Sequence, residues 1–101
     1  MEKDLCYFLL ERIEGELSSC EDAVAEADLY LGTPWYYSRK FELSGDIESS
    51  FKEVKGSFEF FFKKFSYIYK DDVKEKRNEL IIRYKKLRAR ALVHLHRLND
   101  K

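Results

Sequence analysis

The chain is poor in everything that interrupts a helix, with 1 Pro and 4 Gly among 101 residues. So few breakers disfavour a many-turned β fold and favour long helices. Cysteine is almost as scarce. Cys6 and Cys20 are too few for a disulfide framework, and on one helix they stand about 21 Å apart, beyond bonding reach. No run approaches the ~20 apolar residues of a membrane span. The apolar stretch Leu5–Leu10 is short and flanked by acids, unlike a secretory leader. No glycine-rich phosphate loop, zinc-type cysteine pairing or nucleophile elbow occurs. His94 and His96 are two positions apart, so a helix points them to different faces rather than at one metal. The expectation is a cytoplasmic, reduced chain with no metal and no cofactor.

What is present suits a single packed domain over residues 1–101. Hydrophobic residues make up 45% and charged residues 38%, enough for both a core and a solvated coat. Net charge is zero, but the halves are opposed. Residues 1–50 carry 4 basic and 12 acidic side chains, and residues 51–101 carry 15 and 7. Either the acidic and basic elements lie side by side and neutralise each other, or a basic face stays open for nucleic acid or an acidic partner.

Three helices are expected, over about 2–31, 46–70 and 72–99. The first carries the stripe Leu9, Ile13, Leu17, Cys20, Val24, Ala27 and Leu31, bordered by Cys6 and Leu10. Both cysteines therefore read as small core hydrophobes. Gly32-Thr33-Pro34 ends this helix, because Gly takes the left-handed cap and Pro cannot continue the ladder. The second helix starts after Ser44-Gly45-Asp46, with Ser44 or Asp46 as cap. Its core stripe is Ile47, Phe51, Val54, Phe58, Phe61, Phe62, Phe65 and Tyr69. Phe60 and Tyr67 point about 180° from that stripe. A tight reversal at Lys70-Asp71-Asp72, with Asp72 and Glu75 as a capping-box-like pair, leads into the third helix. The rival is one continuous helix from 47 to 99. The third helix has the core stripe Val73, Leu80, Tyr84, Leu87, Ala91, Leu95 and Leu98, a basic stripe Arg83, Lys86, Arg90 and Arg97, and a far-side line Ile82, Ala89, Val93 and His96. The fold class is an all-α antiparallel three-helix bundle with coiled-coil-like rhythm and an aromatic loop between its first two helices.

That loop, Thr33–Gly45, is too aromatic for an ordinary solvated connection. Trp35, Tyr36 and Phe41 can fold over the bundle end as a lid. Alternatively Trp35, Tyr36, Tyr37 and Arg39 face a partner, since Trp, Tyr and Arg dominate interface energetics. With the outward Phe60, Tyr67 and Val93, and with Arg39 and Arg90 setting orientation, these residues describe a protein-interaction module. It would be an adaptor, inhibitor or immunity-type protein that occupies a surface and forms a homodimer.

Two alternatives come from the third helix. Arg88-Ala89-Arg90-Ala91-Leu92-Val93-His94-Leu95-His96 resembles the Arg-x(4–6)-His signature of HEPN-domain ribonucleases, with five residues between Arg88 and His94 and between Arg90 and His96. The resemblance implies a dimeric helical bundle in which Arg88 or Arg90 stabilises the scissile phosphate and His94 or His96 transfers the proton. The second alternative is nucleic-acid binding through the basic stripe with Lys63, Lys64 and Lys85.

Overall fold

Apolar residues three and four apart recur along three stretches of the chain, and each stretch is a long helix. The computed structural model describes residues 2–65 and 71–100 and is all helical there. The elements are α1 (Glu2–Tyr30), α2 (Trp35–Ser38), α3 (Lys40–Lys64) and α4 (Asp71–Asn99). They form a helical bundle with extents of 51 × 18 × 18 Å. α1 packs along both α3 and α4, and the α3–α4 contact is the sparsest of the three.

α1 stops where expected. Gly32 takes φ +86°, and the Thr33 hydroxyl donates to the Tyr30 carbonyl at 2.6 Å. Ending the helix at Tyr30 leaves Leu31 exposed, outside the stripe assigned to it from sequence.

The connection to α3 differs from the aromatic loop read from sequence. Residues 35–38 are a short helix, and α3 begins at Lys40 rather than near 46. Ser44-Gly45-Asp46 therefore lies inside a helix, and the Ser44 hydroxyl donates back to the Lys40 carbonyl instead of capping. Leu43 explains the early start. It is buried one turn before Ile47, and burying a leucine stabilises by about 2 kcal/mol, outweighing the roughly 1 kcal/mol that Gly45 costs in a helix interior.

At its other end α3 breaks at Phe65 (φ −121°, ψ 62°), and α4 packs back on α3. The two are separate helices, not one rod. Of the turn expected at Lys70-Asp71-Asp72, Asp71 and Asp72 instead open α4, while Lys70, with Tyr67 and Tyr69, lies outside the described residues. Acids sit in the first turn of α4 and bases in its last, each favourable to the helix dipole. Asp72 accepts from the Val73 amide at 2.9 Å and from the Tyr7 hydroxyl, so it ties α1 to α4. Glu75 is exposed.

The core has two lobes. One gathers Cys6, Leu10, Ile13, Leu17, Phe61 and Leu80, and the other Val24, Ala27, Tyr36, Leu43, Ile47 and Leu98. Phe51 packs against both. Phe62 sits at the rim, exposed, with its ring stacked 6.2 Å from that of Phe58, rather than in the interior stripe read from sequence. Both cysteines are buried. Burial, then the Glu16 and Glu53 carboxylates, push the Cys20 thiol up to about 11, which makes it a poor nucleophile.

The opposed charges of the two halves meet along one seam. Glu14 pairs with Lys76, Glu21 with Arg83 and Asp28 with Arg90. Both partners advance by seven residues per rung, so each rung lies two turns beyond the last. Exposed pairs contribute about 0–1 kcal/mol each. Apolar burial therefore holds the bundle together, and the rungs line the seam between α1 and α4.

Candidate functional site

The end of the bundle where α1, α2 and α4 meet combines a buried polar network with uncovered aromatic residues. Tyr36 is 1% exposed, and its hydroxyl lies 2.7 Å from His94 Nδ1. The other ring nitrogen, Nε2, lies 2.6 Å from Asp28 Oδ1. An ionised carboxylate only accepts, so Nε2–H donates to Asp28, and Nδ1 shares the second hydrogen bond with the Tyr36 hydroxyl. Arg90 takes the second Asp28 oxygen. Burial pushes the Asp28 carboxyl up, but the His94 hydrogen bond and the Arg90 charge outweigh it and hold the group below its ordinary 3.8. Burial also raises the Tyr36 phenol. Among the described residues, no buried side-chain polar atom lacks a partner.

This network anchors the short helix. With Tyr36 held by α4, its neighbours face outward. Trp35 is 60% and Phe41 83% exposed, and Leu29, Leu31 and Tyr37 are also uncovered. The Tyr37 ring meets Tyr36 edge-on at 5.0 Å. Arg39 lies over the Tyr30 ring, 5.0 Å from its centroid, and pairs with Glu42 at 3.3 Å. Gly32, Tyr36 and Arg39 together fix this corner from three sides.

The residues singled out from sequence are only partly brought together. Trp35, Tyr37 and Arg39 share the corner. Tyr36 belongs to the core, and its burial removes it from any surface that a partner can reach. Lid and presentation thus divide by residue, with Tyr36 tucked in and Trp35 and Phe41 left out. Phe60 is exposed and lines a groove between α1 and α3 with Leu9, Arg12, Gly56 and Ser57. Val93 lines a separate hollow near the end of α4 with His96 and Arg97. Tyr67 lies outside the described residues. Arg90 is exposed and pairs with Asp28.

The Arg-x5-His residues are also dispersed. Arg88 is exposed on the α3 side of α4, His94 is enclosed with both ring nitrogens engaged, and His96 is exposed beside Asp100 at 3.2 Å. Among the described residues, no cluster of His, Cys, Asp or Glu could hold a metal ion, and no helix is long and apolar enough to cross a membrane.

Sequence reasoning missed two functional features. The Asp28–His94–Tyr36 chain joins positions 58 and 66 residues apart, and no local pattern announces it. Glu16 is the second: it is buried, paired with Arg12 at 3.2 Å, and accepts the Ser57 hydroxyl from α3 at 2.7 Å. Its place beside Leu17 on the inner half of the α1 wheel was a usable signal.

No protein-family model matches the chain, and neither a curated protein nor a solved structure matches it.

Proposed function

We propose that the chain is a non-catalytic protein-interaction module, an adaptor, inhibitor or immunity-type protein that works by occupying a partner's surface. The arrangement is read as a single-domain antiparallel three-helix bundle over residues 1–101, working in the cytoplasm and self-associating. The order of the rungs supports that topology. Glu14, Glu21 and Asp28 meet Lys76, Arg83 and Arg90 in ascending order, so α1 and α4 run the same way with α3 between them in sequence.

One observation carries the functional reading: Leu29, Leu31, Trp35, Tyr37 and Phe41 are uncovered on a corner whose backbone is held by a fully buried tyrosine. Apolar side chains on an anchored backbone lose less conformational entropy on binding than those on a free segment, and Trp and Tyr are the residue types that dominate interface energy. The exposed Phe60 and Val93 supply the surface for self-association.

Affinity capture from the native host tests the reading, comparing wild type with Trp35→Ala/Phe41→Ala. Wild type is expected to retain a protein that the double variant loses while its circular dichroism is unchanged. Retention of nothing by wild type, or equal retention by both, overturns it. Sedimentation tests self-association separately, and a monomer at high micromolar concentration removes that part.

A further inference from the structure

A groove runs between α3 and α4, and the three cations that line it have no ion pair among the described residues. The floor of the groove is Phe51 from α3 with Tyr84, Leu92 and Leu95 from α4. The Phe51 and Tyr84 rings lie 6.0 Å apart, and Tyr84 also meets Phe58 edge-on at 5.3 Å. Lys52 and Lys55 form one lip and Arg88 the other. All three are exposed, and none has an ion pair among the described residues. Glu48, also exposed, stands toward one end.

The geometry points to this groove as the docking site for an acidic amphipathic helix of a partner protein, which lies along α3 and α4 as a fourth helix. Three features select that occupant. The sparse α3–α4 contact leaves a slot along both helices, and helices pack side by side at about 20° in such bundles. An apolar floor takes the i, i+3, i+4, i+7 face of a helix. Cationic lips on both sides match carboxylates on both flanks of that face, and Glu48 sets direction by favouring a basic residue at one end. Phe51 and Tyr84 are half-buried and pack against the core, so they form a floor for side chains rather than an open stacking platform for bases.

This inference rests on the reading of the chain as an interaction module, but it uses a different surface from the Trp35 corner. The test is fluorescence anisotropy with a labelled synthetic peptide of about four helical turns, roughly 15 residues, with leucine along one face and glutamate on both flanks. A single-stranded oligothymidylate of similar charge is the competitor. Saturable peptide binding is expected, weakened at least about tenfold by Lys52→Glu/Lys55→Glu/Arg88→Glu and by added salt. Leu92→Asp, on the floor, is expected to weaken it independently. Trp35→Ala/Phe41→Ala is expected to leave it unchanged, which separates failure here from failure at the corner. No saturable binding to wild type, equal binding by the charge-reversed variant, or tighter binding of the oligothymidylate overturns the proposal.

Discussion

α4 meets its two neighbours in different ways. Toward α1 its cations are matched one for one, as Lys76, Arg83 and Arg90 face Glu14, Glu21 and Asp28. Toward α3 it offers Arg88 beside Lys52 and Lys55, with no acid paired to any of them among the described residues. A helix that neutralises itself along one seam and not along the other shows where intramolecular needs end. Along the first seam charges alternate in matched rungs, whereas along the second exposed cations flank an apolar strip. Overall neutrality hides this asymmetry, because the chain's 19 bases and 19 acids are not spread evenly over its faces.

The contrast can be broken by mutation, beginning with the interior. Leu17→Ala removes a fully buried side chain between α1 and its neighbours and should cost about 2–5 kcal/mol. Leu92→Ala in the open groove, where the side chain is half exposed, should stay within about 0.5 kcal/mol. Urea unfolding measures both, and equal losses would show that the α3–α4 side is as fully packed as the α1 side.

Tyr36→Phe comes next. It leaves the buried Nδ1 of His94 without its hydrogen-bond partner and should cost about 1–3 kcal/mol. Amide exchange should show the loss concentrated at the α2 corner, and a uniform loss would count against Tyr36 as its anchor.

Acid provides a smaller, signed effect. The folded Asp28 carboxyl is held below its ordinary 3.8, so its stabilising contribution is full above that value and is lost as pH falls through the lower folded value. The stability gap between wild type and Asp28→Asn should therefore narrow from about pH 6 to about pH 3. The part-exposed carboxylate keeps the effect modest. A gap that widened in acid would reverse the assigned sign.

The smallest difference is the sharpest comparison of the two seams. Arg83→Ala removes a rung and should cost about 0.2–1 kcal/mol at low salt, less at high salt. Arg88→Ala should cost nothing measurable and show no salt dependence. Matching values would erase the distinction between paired and unpaired cations.

Much of this organisation was legible in the sequence. Helical spacing located the three long helices and most of their interior, because three- and four-residue periodicity is a direct consequence of burying one helix face. The errors share a cause. Ser44-Gly45-Asp46 carries a strong local cap signal, and only the tertiary burial of Leu43 and Tyr36 overrides it. Phe61 and Phe62 stand about 100° apart on the wheel, and only the position of α1 decides that Phe61 is interior and Phe62 rim. Of the candidate site, Trp35, Tyr37 and Phe60 are exposed, which a partner-facing role requires. Tyr36 is not, since its neighbour His94 comes from the far end of the chain. The seven-residue spacing of Glu14, Glu21 and Asp28, and of Lys76, Arg83 and Arg90, was present in the sequence. Recognising it as a seam required pairing two helices that are not consecutive.

That regular spacing also means the charges alone cannot say where α4 belongs. Slide α4 along α1 by one heptad, about 10.5 Å, and Glu14 meets Arg83 while Glu21 meets Arg90. The rungs form a ruler with identical marks. The Tyr36–His94 contact occurs at one setting only, and it supplies the zero of that ruler.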